Sequence, residues 1–160
     1  MKFLISELNG LKHIQIMFRE LNKIKEAKDS GLKVGFTCST FDLLHAGHSL
    51  MLKECRDNCD FLIVGILSDP TISRPESKLP PYETLFERWL RLDSLHVADM
   101  IIPFSHEEDL ENMMKILKPD IRFVGEEYKG REFGGSNVAI PLFYNSRQHN
   151  FSSSKIKGKL

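Results

Sequence analysis

Long apolar runs are missing from this sequence. Its strongest one, "FLIVGIL" from Phe61 to Leu67, falls far short of the roughly 20 residues that a membrane-spanning helix needs, so no membrane span is expected. The first residues also read as a poor secretion signal. Lys2 and a short apolar patch are followed by Glu7, Lys12, Arg19 and Glu20, which break that pattern. Charge of one sign is missing: 22 Lys and Arg balance 22 Asp and Glu. The chain therefore lacks the bulk basic field of a nonspecific nucleic-acid binder, and no nucleic-acid partner is expected. A local basic pocket for a small anion stays open. Cysteine is scarce, with only Cys38, Cys55 and Cys59. An odd number of thiols, in a chain large enough to bury a core without staples, points to a reduced, cytoplasmic setting. Cys55 and Cys59 are spaced to share a helix face. With no second ligand pair nearby, they read as packing thiols rather than a metal site.

What is present is a composition of 41% hydrophobic and 28% charged residues over 160 positions, which suits one globular domain. Residues 1–32 read as a helical extension. "LKHIQIMFRELNKIKEA" places Leu11, Ile14, Met17, Phe18, Leu21 and Ile24 at helical spacing, and Asp29, Ser30 and Gly31 stop it. Such a helix covers a core or a neighbouring subunit; its mixed charges argue against a membrane surface.

From Lys33 to the end, residues 33–160, strand and helix signals alternate. "KVGFTCS", "DFLIVGILS", "MIIPF", "IRFVGEEY" and "NVAIPLFYN" read as strands. "GHSLMLKECRDN", "TLFERWLRLDSLHV" and "EEDLENMMKILK" read as helices between them, and "SSSKIKGKL" opens with capping serines. This alternation predicts an α/β fold with a parallel five-stranded, Rossmann-like sheet and helices on both faces. Ligands in such sheets sit at the carboxyl ends of the strands, near the switch point.

Three polar clusters fall at those ends. The first is Thr40, Asp42, His45 and His48; the second is Gly125, Glu126, Glu127 and Tyr128; the third is Arg147 with Ser152, Ser153, Ser154 and Lys155. Gly47 and His48 open a helix, where free N–H groups and the helix dipole favour an anion. Imidazoles there can donate to phosphate oxygens and stabilise charge that builds up during phosphoryl or nucleotidyl transfer. A metal reading needs a third ligand, from Asp42 or Cys38, and the two-histidine zinc pattern uses i, i+4 spacing with a glutamate. Core packing is the bland alternative. The serine run is either a plain cap or a hydroxyl-rich, phosphate-binding helix start served by Arg147. Lys78, in the proline-rich "RPESKLPPYE", is either solvated or carried by a loop onto a polyphosphate. Arg88 opens a helix with an apolar face. Glu126 and Glu127 either bond sugar or base groups or face water.

"TFDLLHAGH" resembles the first signature of the cytidylyltransferase-like nucleotidyltransferases. "SSSKI" following "SR" resembles their second, with four residues between Arg147 and Ser152. "ADMIIP", "FVGEEY" and "PPYETLFER" are similar to further family segments. The resemblance covers about residues 33–157, and its nearest type is the bacterial glycerol-3-phosphate cytidylyltransferase.

It implies in-line attack by a substrate phosphate oxygen on the α-phosphorus of CTP, with pyrophosphate leaving and Mg²⁺ accompanying the triphosphate. The acceptor would be a small alcohol phosphate, with glycerol-3-phosphate leading. In the implied roles His45 and His48 act on the α- and β-phosphates and Lys78 neutralises phosphate charge. Main-chain N–H groups near Thr40 and Phe41 cradle the triphosphate, and Asp42 orients the loop or the ribose side. Gly47, Gly125, Glu127, Arg147 and Ser152 to Ser154 complete the nucleotide site. Arg88 supports the acceptor or the loop, and Glu126 belongs with the acceptor. No protein side chain is assigned to a metal, and a homodimer is expected, as the family commonly forms. Two alternatives stand beside this: an adenylyltransferase using ATP and a sugar phosphate or similar acceptor, and a non-catalytic nucleotide-binding module.

Overall fold

The computed structural model describes residues 19–146 together with 151, 156 and 158. A first helix, α1, occupies 19–29 of these. Then come β1 (Val34–Ser39), α2 (Ala46–Asp57), β2 (Phe61–Leu67), α3 (Leu85–Asp93), β3 (Met100–Phe104), α4 (Glu107–Leu117), β4 (Ile121–Gly125), a 3₁₀ turn (Glu126–Tyr128) and β5 (Leu142–Asn145).

All strand pairs are parallel, in the order β3-β2-β1-β4-β5. The chain runs outward from β1 through β2 to β3, then returns to the other side of β1 with β4. The reversal makes the crevice between the carboxyl ends of β1 and β4 the switch point.

The near-continuous apolar strands exist because both faces are covered. On one face Val34, Phe36, Ile63, Met100 and Phe104 pack under α4, through Leu110, Met113, Met114 and Leu117. On the other, Leu62, Val64, Ile66 and Phe123 pack under α2 and α3, through Leu52, Cys55 and Leu92.

Helix α1 covers the core. Ile24 and Ala27 are buried in the same cluster as Val34, Phe36 and Met114. The Lys28 ammonium donates to the Leu117 carbonyl at 2.8 Å and to the Lys118 carbonyl, capping the C-terminus of α4 with a cation. Helix α1 itself ends in a Schellman turn. Leu32 N donates to the Ala27 carbonyl and Gly31 N to that of Lys28, and Gly31, at φ +74°, takes the left-handed position that a side chain would strain. The expected face residues Leu11, Ile14, Met17 and Phe18 lie outside the described residues, and Leu21 is exposed.

Two elements are shorter than the sequence suggests. Helix α3 stops at Asp93, where Ser94 to His96 turn and His96 adopts φ +51°. Strand β5 begins at Leu142 because the Gly135–Val138 turn and Pro141 precede it.

All three thiols are free. Cys55 and Cys59 do pack, in the α2–α3 cluster, and burial pushes their thiols up to about 12 and about 11.

Candidate active site

The two histidines are three residues apart because they cap the start of a helix. His45 is the N-cap of α2, in extended geometry, and its Nδ1 accepts from Gly47 N at 3.1 Å. His48 is the third helical residue, and its Nδ1 accepts from His45 N at 3.4 Å. This is a capping box with imidazoles in place of the usual hydroxyl and carboxylate. The rings stack with centroids 4.0 Å apart, and His48 leans on Phe41 at 5.3 Å. Because both Nδ1 atoms accept, each neutral ring carries its proton on Nε2, a donor on the edge away from the helix amides. Two such donors at a helix start suit an incoming phosphate.

The loop before them is strained and braced. Phe41 and Leu43 sit at φ +52° and +48°, a cost of about 1 kcal/mol or more each that the surroundings must offset. Phe41 turns its ring into the core, so any contact of this residue with a nucleotide would run through its main chain. The buried Asp42 carboxylate accepts from Tyr82 N at 3.0 and 2.9 Å and from Glu83 N at 3.0 Å. In return, Glu83 Oε2 accepts from Leu43 N at 3.0 Å, while its Oε1 meets Arg91 at 2.8 Å.

Of the two places expected for Arg88, acceptor or loop, its contacts are with the loop. It is 2% exposed, and its guanidinium lies under the strand ends. Nε donates to the Glu83 carbonyl at 3.1 Å, Nη1 to those of Thr40 and Leu67 at 2.7 Å each, and Nη2 to Ser68 at 2.5 Å. Burial pulls its pKa down, against the opposing charges of Asp42, Asp69 and Glu83. With these donors turned to main-chain carbonyls, Arg88 braces the loop and the ends of β1 and β2.

Thr40 is half-buried at the end of β1, and Gly47 is buried in the first turn of α2. Across the switch point, β4 ends at Gly125. A Cβ there would collide with the Glu127 carboxylate, which folds back over the strand end. Glu126 and Glu127 are both exposed. So the first two sequence clusters stand at the ends of adjacent strands. Lys78 is exposed in the loop after β2, its main-chain N–H on the Arg74 carbonyl at 3.1 Å. Arg147, Ser152, Ser153, Ser154 and Lys155 lie outside the described residues. The path toward them is pinned nevertheless. Glu54 Oε2, on α2, accepts from Asn145 Nδ2 and Ser146 N at 3.0 Å each.

Three supporting residues escaped the sequence reading: Glu83, Glu54 and Arg122. Arg122, 4% exposed on β4, donates to the carbonyls of Gly135 at 2.9 Å and Gly134 at 2.6 Å. It also lies 5.0 Å from the Phe133 ring centroid, and Phe133 in turn packs on Tyr128. It thus holds the 129–141 loop against the second cluster. Glu83 lies in the segment "PPYETLFER", just ahead of the Thr84-x-x-Glu87 capping box, which marks where α3 begins but not that Glu83 is buried.

A parallel Rossmann-like sheet whose switch point holds a helix opened by two imidazole donors defines a nucleotidyltransferase enzyme. Comparison with known proteins agrees and narrows the class. The chain belongs to the cytidylyltransferase-like family, whose model matches residues 36–159. It is 37% identical over 132 residues to the bifunctional protein HldE of a Nitratiruptor species, covering 82% of this chain and 27% of that protein. It is 32% identical over 163 residues to the HldE of Wolinella succinogenes, covering 98% of this chain and 34% of that one. The chain thus spans about a third or less of these relatives. Among solved structures, it is similar to a lipopolysaccharide core biosynthesis protein from Thermoplasma volcanium. That match has a TM-score of 0.60 and 25% identity, covering 74% of this chain and 99% of that one.

Proposed function

We propose that the chain transfers an adenylyl group from ATP to a sugar phosphate, with a heptose phosphate as the leading acceptor, and releases pyrophosphate. The relatives carry the choice of substrates. They are HldE proteins at 32% to 37% identity, and the similar solved structure belongs to lipopolysaccharide core biosynthesis, a saccharide assembly. The histidine cap carries the chemistry. An acceptor phosphate oxygen attacks the α-phosphorus in line. The P–O bond to the β-phosphate breaks, and Nε2–H groups of His45 and His48 meet the charge that builds on the phosphate oxygens.

Arg147 and Ser152 to Ser154 are proposed for the nucleotide phosphates, Lys78 for the leaving pyrophosphate, and Glu126 and Glu127 for hydroxyls or amines of the substrates. Mg²⁺ is proposed to enter with the triphosphate, as part of the substrate. Among the described residues no three His, Cys, Asp or Glu side chains come together to hold a metal, so no protein ligand is assigned to it. CTP with a small alcohol phosphate is the second reading, favoured by the description of the matching family.

Pyrophosphate release separates the two readings. With ATP and CTP each tested against sugar phosphates and glycerol-3-phosphate, ATP with a sugar phosphate is expected to give the higher kcat/KM, by about tenfold or more. Faster turnover of CTP with glycerol-3-phosphate reverses the assignment. No helix among the described residues is long and apolar enough to cross a membrane, and a cytoplasmic location is proposed from the three free thiols. A homodimer is proposed as well, with the exposed Tyr82, Phe86 and Leu90 as the apolar surface. Light scattering should then give about twice the 18.4 kDa chain mass.

A further inference from the structure

We propose that Glu83 is a positioning residue for the transfer reaction: its carboxylate fixes the main chain of the loop that aims His45 and His48. The inference rests on the nucleotidyltransferase reading and adds to it a residue outside both signatures.

Glu83 is 8% exposed although it is a carboxylate on a connecting segment. Its two oxygens have separate tasks. Oε2 accepts from Leu43 N at 3.0 Å, and Oε1 meets the exposed Arg91 at 2.8 Å. The first bond lands on a strained residue, since Leu43 holds φ +48° two positions before the helix cap. The bracket is reciprocal. Asp42 takes the amides of Tyr82 and Glu83 while Glu83 takes the amide of Leu43, so the two segments cannot slide past each other without breaking both sets. Arg88 closes the same bracket by holding the carbonyls of Thr40 and Glu83. Every residue from Thr40 to Leu43 is thereby either held by this bracket or flanked by residues that are. The geometry makes reach, rather than charge, the property that matters at residue 83. An acceptor oxygen must arrive at Leu43 N, the ion pair with the exposed Arg91 is of small worth, and the buried Arg88 keeps Asp42 and Asp69 as counter-charges when Glu83 is neutralised.

Reach and charge can be separated by two conservative variants. Glu83→Gln keeps the length and an acceptor oxygen but loses the charge. Glu83→Asp keeps the charge but draws the carboxylate back by one methylene. The expected order in kcat is wild type, then Gln within about threefold, then Asp lower by about tenfold to a hundredfold, the range for a misplaced catalytic group. KM for the triphosphate should move by less than about threefold. Hydrogen exchange at the Leu43 amide reads the bond without turnover, and should quicken in Asp and stay near wild type in Gln. A purely structural residue would lower thermal stability and leave kcat per folded molecule unchanged, which overturns the role. So does the reverse order, Asp above Gln, or Leu43 exchange that is the same in all three proteins. An inactive wild-type chain overturns the transferase reading itself, and this role with it; an active wild type matched by both variants overturns the role alone.

Discussion

Replacing His48 by alanine should lower the rate of pyrophosphate release by about a hundredfold to a thousandfold, with KM for the triphosphate little changed. The magnitude is that of removing one preorganised donor from a site of developing charge, about 3–4 kcal/mol. Two effects of the substitution act together. The Nε2 donor disappears, and so does the Nδ1 acceptor that holds His45 N at 3.4 Å. His45 also loses the ring stacked on it at 4.0 Å, so its own donor is released from its fixed direction. The loss therefore falls on kcat rather than on binding, because both imidazoles meet charge that grows only as the P–O bond breaks. Steady-state kinetics together with the thermal unfolding of the variant separate this from a frayed helix, which costs about 1 kcal/mol for a lost cap. Turnover equal to wild type would remove the pair from the chemistry.

The i, i+3 spacing of these histidines is also the clearest example of what was legible in the sequence. A glycine-containing strand-to-helix junction with polar residues locates a ligand end of the sheet, and alternating apolar segments fix the parallel order around it. Strand positions were readable because strands covered on both faces, such as Phe61–Leu67, admit almost nothing but apolar residues. The spacing did not reveal that the pair would be N-cap and third residue of one capping box, since that box is ordinarily written with a hydroxyl and a carboxylate. Helix α1 was legible as a helix, but an amphipathic stripe does not name the surface it covers. That Ile24 and Ala27 join the core under β1 depends on partners from β1 to α4. The braces were least legible. Asp42 and Glu83 exchange amides across some 40 residues, and Glu54 reaches Ser146 across 92. Each partner is a main-chain group, which has no signature in a sequence.

Arg88 shows the same point with the largest structural consequence. Replaced by methionine, which fills similar space, it should destabilise the protein by about 3–5 kcal/mol, lowering Tm by roughly 10 °C in a chain of this size. Methionine offers nothing to the carbonyls of Thr40, Leu67, Ser68 and Glu83, which now receive its N–H groups, and each buried carbonyl left without a donor costs about 1–3 kcal/mol. Some of that is offset, because burying the guanidinium is itself unfavourable, as its lowered pKa indicates. Asp42 and Glu83 also lose the cation that faces them, which adds to the cost. Arg88→Lys keeps the charge but not the fork, and one ammonium cannot span the ends of β1 and β2 together, so it should recover less than half of the lost stability. A direct hand on the acceptor phosphate predicts the opposite pattern, in which Lys leaves Tm at wild type and raises KM for the acceptor. Thermal unfolding of the two variants, set beside their acceptor KM, decides between brace and ligand, and the four carbonyls favour the brace.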